Sequence, residues 1–132
     1  MLIVGGVNEL TENMLKMKGI PYSKETNDAF YIETRDLLLS DPMTIINYLD
    51  ERYPIPQLIS GDLANRTRIR EMASIALKNT EVCDSLANTA SPFVFGDTVT
   101  LVDLIVYERT SNEHFKNYIS EILKTNTTEH WL

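Results

Sequence analysis

Apolar and polar positions follow two rhythms along this chain, first short and alternating, then helical. Residues 2–4 form a brief apolar run closed by Gly5-Gly6, which predicts a strand entering a turn. Over 8–18, Leu10, Met14 and Met17 recur at helical spacing, and Gly19 stops the helix. Residues 20–24 predict a second strand, at a sheet edge because Pro21 lacks a ladder donor. Asn27-Asp28 is a turn signal. Residues 29–34 are aromatic and β-branched, and residues 37–40 are apolar. Joined by Arg35-Asp36, these two runs predict a hairpin.

Helical spacing takes over after the hairpin. Asp41 stands where a helix cap is wanted and Pro42 at the favoured first position of the helix. This helix reaches about Arg52, with Ile45, Ile46 and Leu49 inward, and Pro54 and Pro56 end it. Residues 57–61 read as a linker. Asp62 can cap a long helix to about Lys78, with Ile69, Met72, Ala73 and Ala76 inward. Residues 80–89 predict a helix and 90–98 a loop. Thr100 opens another helix, and 113–124 is the last. The pattern implies an α/β half over 1–56 and an all-α half over 62–132.

Composition narrows the function classes. The chain has 132 residues, 43% hydrophobic and 23% charged, which is globular rather than disordered. Its net charge of −7 argues against direct nucleic-acid or anionic-membrane binding, since both need a basic surface. The start of the chain has no basic segment and only a short apolar run, so neither a signal peptide nor a membrane span is expected. A single cysteine, Cys83, allows no intramolecular disulfide and fits the cytoplasm. Cys83 has no basic helper nearby and reads as a buried thiol. His114 and His130 are too isolated for a recognisable metal site.

Two segments carry a family resemblance. The run Leu39-Ser40-Asp41-Pro42-Met43-Thr44-Ile45-Ile46-Asn47-Tyr48-Leu49-Asp50-Glu51-Arg52-Tyr53-Pro54 resembles the strand-to-helix segment of glutathione transferases. Gly96-Asp97-Thr98-Val99-Thr100-Leu101-Val102-Asp103-Leu104 is similar to the element that opens the buried helix of their C-terminal domain. Its physical content is a capping box, Thr100 capping the helix and Asp103 capping back. The resemblance implies an abbreviated thioredoxin-like N-terminal half and a small helical C-terminal half. The stretch 48–58 is especially similar to the stringent starvation protein A branch, proteins of this fold that bind RNA polymerase without transferase activity. Ile55 and Gln57 depart from that branch's pattern.

The resemblance also shows what this chain lacks. Family chemistry uses a Ser, Cys or Tyr at the head of the first helix to activate the glutathione sulfur. Residues 5–10 contain none, and Asn8 and Thr11 are poor substitutes. A cis-proline normally precedes the third strand, but Phe30 occupies that position, so a trans bond is expected. No room remains before residue 29 for the family's second helix. Asp41 matches the acid that holds the glutamyl amine, but reads first as a helix cap, and no catalytic residue is expected. The implied function is a non-catalytic protein-binding module, a transcription regulator acting on RNA polymerase or a transcription factor without a cofactor. Its docking surface would be Tyr53, Pro54, Ile55, Pro56, Gln57 and Leu58. Arg66, Arg68 and Arg70 read either as a solvated face pairing with Asp62 and Glu71, or as a subunit contact in a homodimer or heterodimer. The alternatives are a minimal glutathione-dependent enzyme and an assembly scaffold.

Overall fold

The computed structural model describes residues 2–6, 9–26, 28–89 and 91–131, with side chains described as far as Lys124. It divides into two units. The first holds residues 1–56 together with the end of the last helix from Leu123; the second holds residues 57–122.

The first unit is a strand–helix–strand followed by a hairpin and a helix. Strand β1 (Ile3–Gly5) leads to helix α1 (Glu9–Lys18) and back to β2 (Ser23–Glu25), which pairs parallel to β1. Strands β3 (Tyr31–Glu33) and β4 (Leu38–Leu39) are antiparallel, and β3 lies antiparallel to β1. The sheet order is β2-β1-β3-β4. Helix α2 (Pro42–Arg52) closes the unit. Val4, Met14, Leu15, Ile32, Ile45 and Leu49 are its buried centre.

The strands are shorter than the apolar runs that predict them. β2 starts at Ser23 rather than Ile20 because the preceding residues terminate α1. Gly19 takes φ 68° and donates to the Lys16 carbonyl, while Ile20 N donates to the Leu15 carbonyl. These two bonds form a Schellman motif, which needs a residue at positive φ. Pro21 has no N–H, so ladder bonding resumes at Ser23 N, which donates to the Leu2 carbonyl at 2.9 Å. The hairpin narrows in a similar way. Thr34 N donates to the Leu37 carbonyl and Leu37 N to Thr34 Oγ1, leaving two residues for β4. No helix separates β2 from β3 among the described residues.

The second unit contains α3 (Leu63–Lys78), α4 (Thr80–Ala87), α5 (Leu101–Arg109) and the start of α6 (Glu113–Trp131). Asp62 caps α3, accepting from Asn65 N at 2.8 Å. Asn79 caps α4, accepting from Glu81 N and Val82 N. Every residue from 101 to 106 is buried and all but Asp103 are apolar, so this stretch of α5 lies at the centre of the unit. Leu58, Ile59, Ile69, Ala73, Ala76, Phe115 and Ile119 pack in the same unit. Met72 is only half-buried. α4 is two residues shorter than expected, and α6 runs past Lys124 to Trp131.

Candidate functional site

The feature that organises the surface of the first unit begins with a buried lysine. Lys18 is the last residue of α1, and the Schellman turn after it directs the chain away while the side chain enters the unit. Lys18 is 3% exposed. Its Nζ donates to Asp50 Oδ1 at 2.8 Å, to the Tyr53 carbonyl at 2.6 Å and to the Pro56 carbonyl at 2.7 Å. An ammonium has three donors, and here each has an acceptor. Burial holds the Lys18 pKa below its ordinary value, against the partly opposing hydrogen bond and charge of Asp50.

This arrangement builds the turn over 53–56. Tyr53 N donates to the Leu49 carbonyl and ends α2. The Arg52 guanidinium lies 4.9 Å from the centre of the Tyr53 ring. The lysine then holds the carbonyls at both ends of the turn. Between them Pro54 is exposed and Ile55 is 82% exposed. The Ile55–Pro56 bond is the cis peptide among the described residues; the bond before Phe30 is not cis.

The predicted docking residues therefore divide. Tyr53 and Pro56 are half-buried, and Pro54, Ile55 and Gln57 are exposed. Leu58 is fully buried, and its carbonyl accepts from Leu101 N at 3.0 Å. It belongs to the core of the second unit, so its place in an exposed surface is corrected. The reason is apolar burial, which the spacing Tyr53 to Leu58 does not reveal.

Asp41 is an exposed cap. Its Oδ2 accepts from Thr44 Oγ1 at 2.7 Å and from Thr44 N at 2.9 Å. These bonds, the side-chain one foremost, hold its carboxyl below the usual range. Pro42 offers no N–H at the first helical position. At the end of β1, Gly5 is covered by the Tyr31 ring, and Gly6 takes φ 71° against the Ala29 carbonyl. Asn8 lies outside the described residues. Thr11 is buried in α1.

The other predicted residues lie in the second unit. Thr100 and Asp103 form the expected capping box, and Thr100 N donates to Asp103 Oδ2 at 2.8 Å. Asp103 Oδ1 additionally accepts from Val94 N at 2.9 Å, tying down the loop before the helix. Burial raises the Asp103 pKa to about 6 against the opposing pull of these N–H bonds. Arg68 and Arg70 are exposed, and Arg66 is half-buried with an unbonded Nε. No ion pair joins the three to Asp62 or Glu71 among the described residues. Cys83 is buried, its Sγ donates to the Ala76 carbonyl, and burial pushes the thiol pKa up. His114 is exposed, while the His130 and Trp131 side chains lie outside the described residues. Among the described residues no cluster of three His, Cys, Asp or Glu could hold a metal. No helix among them is long and apolar enough to cross a membrane.

No protein-family model and no curated protein matches the sequence. Solved structures do match. A glutathione S-transferase from Legionella pneumophila is 21% identical, with TM-score 0.64, over 96% of this chain and 93% of that one. A maleylacetoacetate isomerase from Anaeromyxobacter dehalogenans 2CP-1 is 18% identical, with TM-score 0.68, over 98% and 92%. That isomerase has also been solved with glutathione in its active site. Glutathione transferase Omega 3C from Trametes versicolor is 14% identical, with TM-score 0.70, over 96% and 85%.

The fold is that of the glutathione transferases.

At these identities the likeness is one of fold. The Asp41 carboxylate serves as the cap of α2, its Oδ2 taken by Thr44. The lysine clamp had no signal in the sequence: Lys18 and Asp50 are 32 positions apart, and each sits in an ordinary charged helix end.

Proposed function

We propose that this chain is a non-catalytic protein-binding module of transferase fold, with the 53–56 turn as its docking surface. One observation carries the reading: a buried lysine holds the turn at Tyr53 and Pro56 while Ile55 stands 82% exposed between them. A buried ammonium is costly in a protein interior, so its use to fix a surface turn points to a turn whose shape matters. A turn already rigid loses little entropy on binding. By its 48–58 stretch the partner is RNA polymerase or a transcription factor, as in the stringent starvation protein A branch, and the setting is the cytoplasm. That finer assignment rests on this stretch alone.

The solved neighbours favour a second reading, a minimal glutathione-dependent enzyme, because they are transferases and an isomerase. The absence of Ser, Cys and Tyr from residues 5–10 and the capping role of Asp41 Oδ2 weigh against it. Two assays separate the readings. The binding module is expected to pass through a glutathione column, to show no turnover with a chlorinated nitrobenzene, and to co-elute with purified RNA polymerase. Retention on the column together with turnover that vanishes in Asn8→Ala or Thr11→Ala would establish the enzyme instead.

A further inference from the structure

Beside the docking turn the first unit carries an open groove of about 470 Å³. Leu2, Ile20 and Pro21 supply an apolar part, and Tyr48 and Tyr53 supply aromatic surface. Its charged lining is Arg35, Asp36 and Arg52, a local excess of one positive charge in a chain whose net charge is −7. Neither arginine makes an ion pair among the described residues. Arg35 sits on the tight β3–β4 turn that Thr34 and Leu37 close. Arg52 is steadied by stacking over Tyr53, which leaves the edge of its guanidinium fork for an acceptor. Tyr53 belongs to both features: its ring lines the groove and its carbonyl is held by Lys18.

We propose that this groove seats an acidic segment of the partner protein, with a carboxylate between Arg35 and Arg52 and an aliphatic neighbour against Ile55. The inference deepens the docking reading and rests on it. Charge complementarity selects the occupant. Guanidinium forks match carboxylates in geometry, and in the groove the two arginines outweigh Asp36, against the acidic balance of the whole chain. The apolar and aromatic lining suits a peptide better than a bare anion, because a peptide brings side chains to cover Ile20, Pro21 and Tyr48.

The test is selection of a random peptide display library against the full chain, followed by affinity measurements on the enriched peptides. Enriched sequences are expected to pair Asp or Glu with an aliphatic residue. Their affinity is expected to fall about tenfold for Arg35→Ala/Arg52→Ala, as two partly screened ion pairs are lost. Both arginines are exposed, so the variant should keep the wild-type melting curve. Selection against Arg35→Glu/Arg52→Glu should enrich basic peptides instead. Enriched peptides that depend on Ile55 but not on the arginines would overturn the acidic groove and leave the docking turn standing. Peptides that depend on neither, or no enrichment at all, would overturn both. Displacement of bound peptide by inorganic pyrophosphate at equal concentration would make the groove a small-anion site and also overturn the inference.

Discussion

Asp50 in the first unit and Asp103 in the second are 4% and 0% exposed, yet their surroundings differ in kind. Asp50 meets the ammonium of Lys18, brought from 32 positions away. Asp103 meets the backbone N–H groups of Val94 and Thr100, with the Thr100 hydroxyl at 3.5 Å. The first arrangement joins two helices and a surface turn. The second is local, organising one helix start and the loop before it. The difference teaches what each carboxylate is for. A cap can be built from neighbours, and its carboxylate keeps a raised proton affinity because no cation compensates burial. A clamp on a distant turn needs a long side chain with several donors, and lysine supplies one.

Breaking the clamp should have the largest effect. Lys18→Met leaves Asp50 buried without its cation and takes the donor from the Tyr53 and Pro56 carbonyls. Loss of one member of such a pair destabilises by about 3–5 kcal/mol. Urea unfolding measures it. Lys18→Met/Asp50→Leu should recover part of that loss, since no charge is left buried alone. Partner binding should not recover with it, because the turn still lacks its donor. Recovery of both would show that the lysine serves the core and not the turn.

The cap gives a pH signature that the clamp comparison sharpens. With its pKa raised to about 6 from an ordinary 3.8, Asp103 binds its proton more tightly folded than unfolded. Its contribution is therefore fully present below about pH 4 and lost as pH rises through 6. The difference amounts to on the order of 3 kcal/mol. Wild type should gain stability relative to Asp103→Asn as pH falls from 7.5 to 4, a window around those two pKa values. Parallel urea-midpoint curves for the two proteins would show that Asp103 does not titrate there.

Those two sites also mark how far the sequence could be read. The capping box was legible because Thr100 and Asp103 are three residues apart and the chemistry of a helix start is local. The same holds for Asp41 and Asp62, each followed by a helix that its carboxylate caps. The order of strands and helices was legible from rhythm, and the glutathione-transferase fold from two motif segments. The clamp was hidden because nothing local distinguishes Lys18 from Lys16, or Asp50 from Glu51. Leu58 was misread for a related reason: following two prolines it looks like part of a surface turn, and its burial depends on packing within the second unit. Strand ends were misplaced where Gly19 and Thr34 redirected N–H groups that the ladder would otherwise use.

On the docking turn itself, single substitutions now separate packing from recognition. Ile55→Ala removes a side chain that is 82% exposed and should leave the melting temperature unchanged. It should weaken partner binding by about 2 kcal/mol, the loss of an anchor side chain. Tyr53→Ala removes a half-buried ring that supports Arg52 and lines the groove, so it should lower both stability and binding. Calorimetric titration with the partner and a thermal melt on the same samples check this. Equal loss of stability in the two variants would mean that the turn is packed on both sides.

The smallest effect is expected at Asp41, and it bears on the rival reading. Both functions that the residue could serve use the same carboxylate. As a cap it accepts from Thr44 N and Oγ1, and an asparagine oxygen can accept those bonds nearly as well. As a glutathione residue it would need its negative charge, because the group it would hold is an ammonium. Asp41→Asn separates the two roles by removing the charge and keeping the oxygen. Since its pKa is lowered in the fold, the charge contributes stability above the ordinary carboxylate pKa and loses it as pH falls through the lower folded value. The variant should therefore melt like wild type in acid and nearly so at neutral pH. Binding to glutathione, followed by calorimetry, should be absent in both proteins. Binding in wild type that disappears in Asp41→Asn, with melting unchanged, would show that the carboxylate serves a ligand, and the enzyme reading would then displace the binding module.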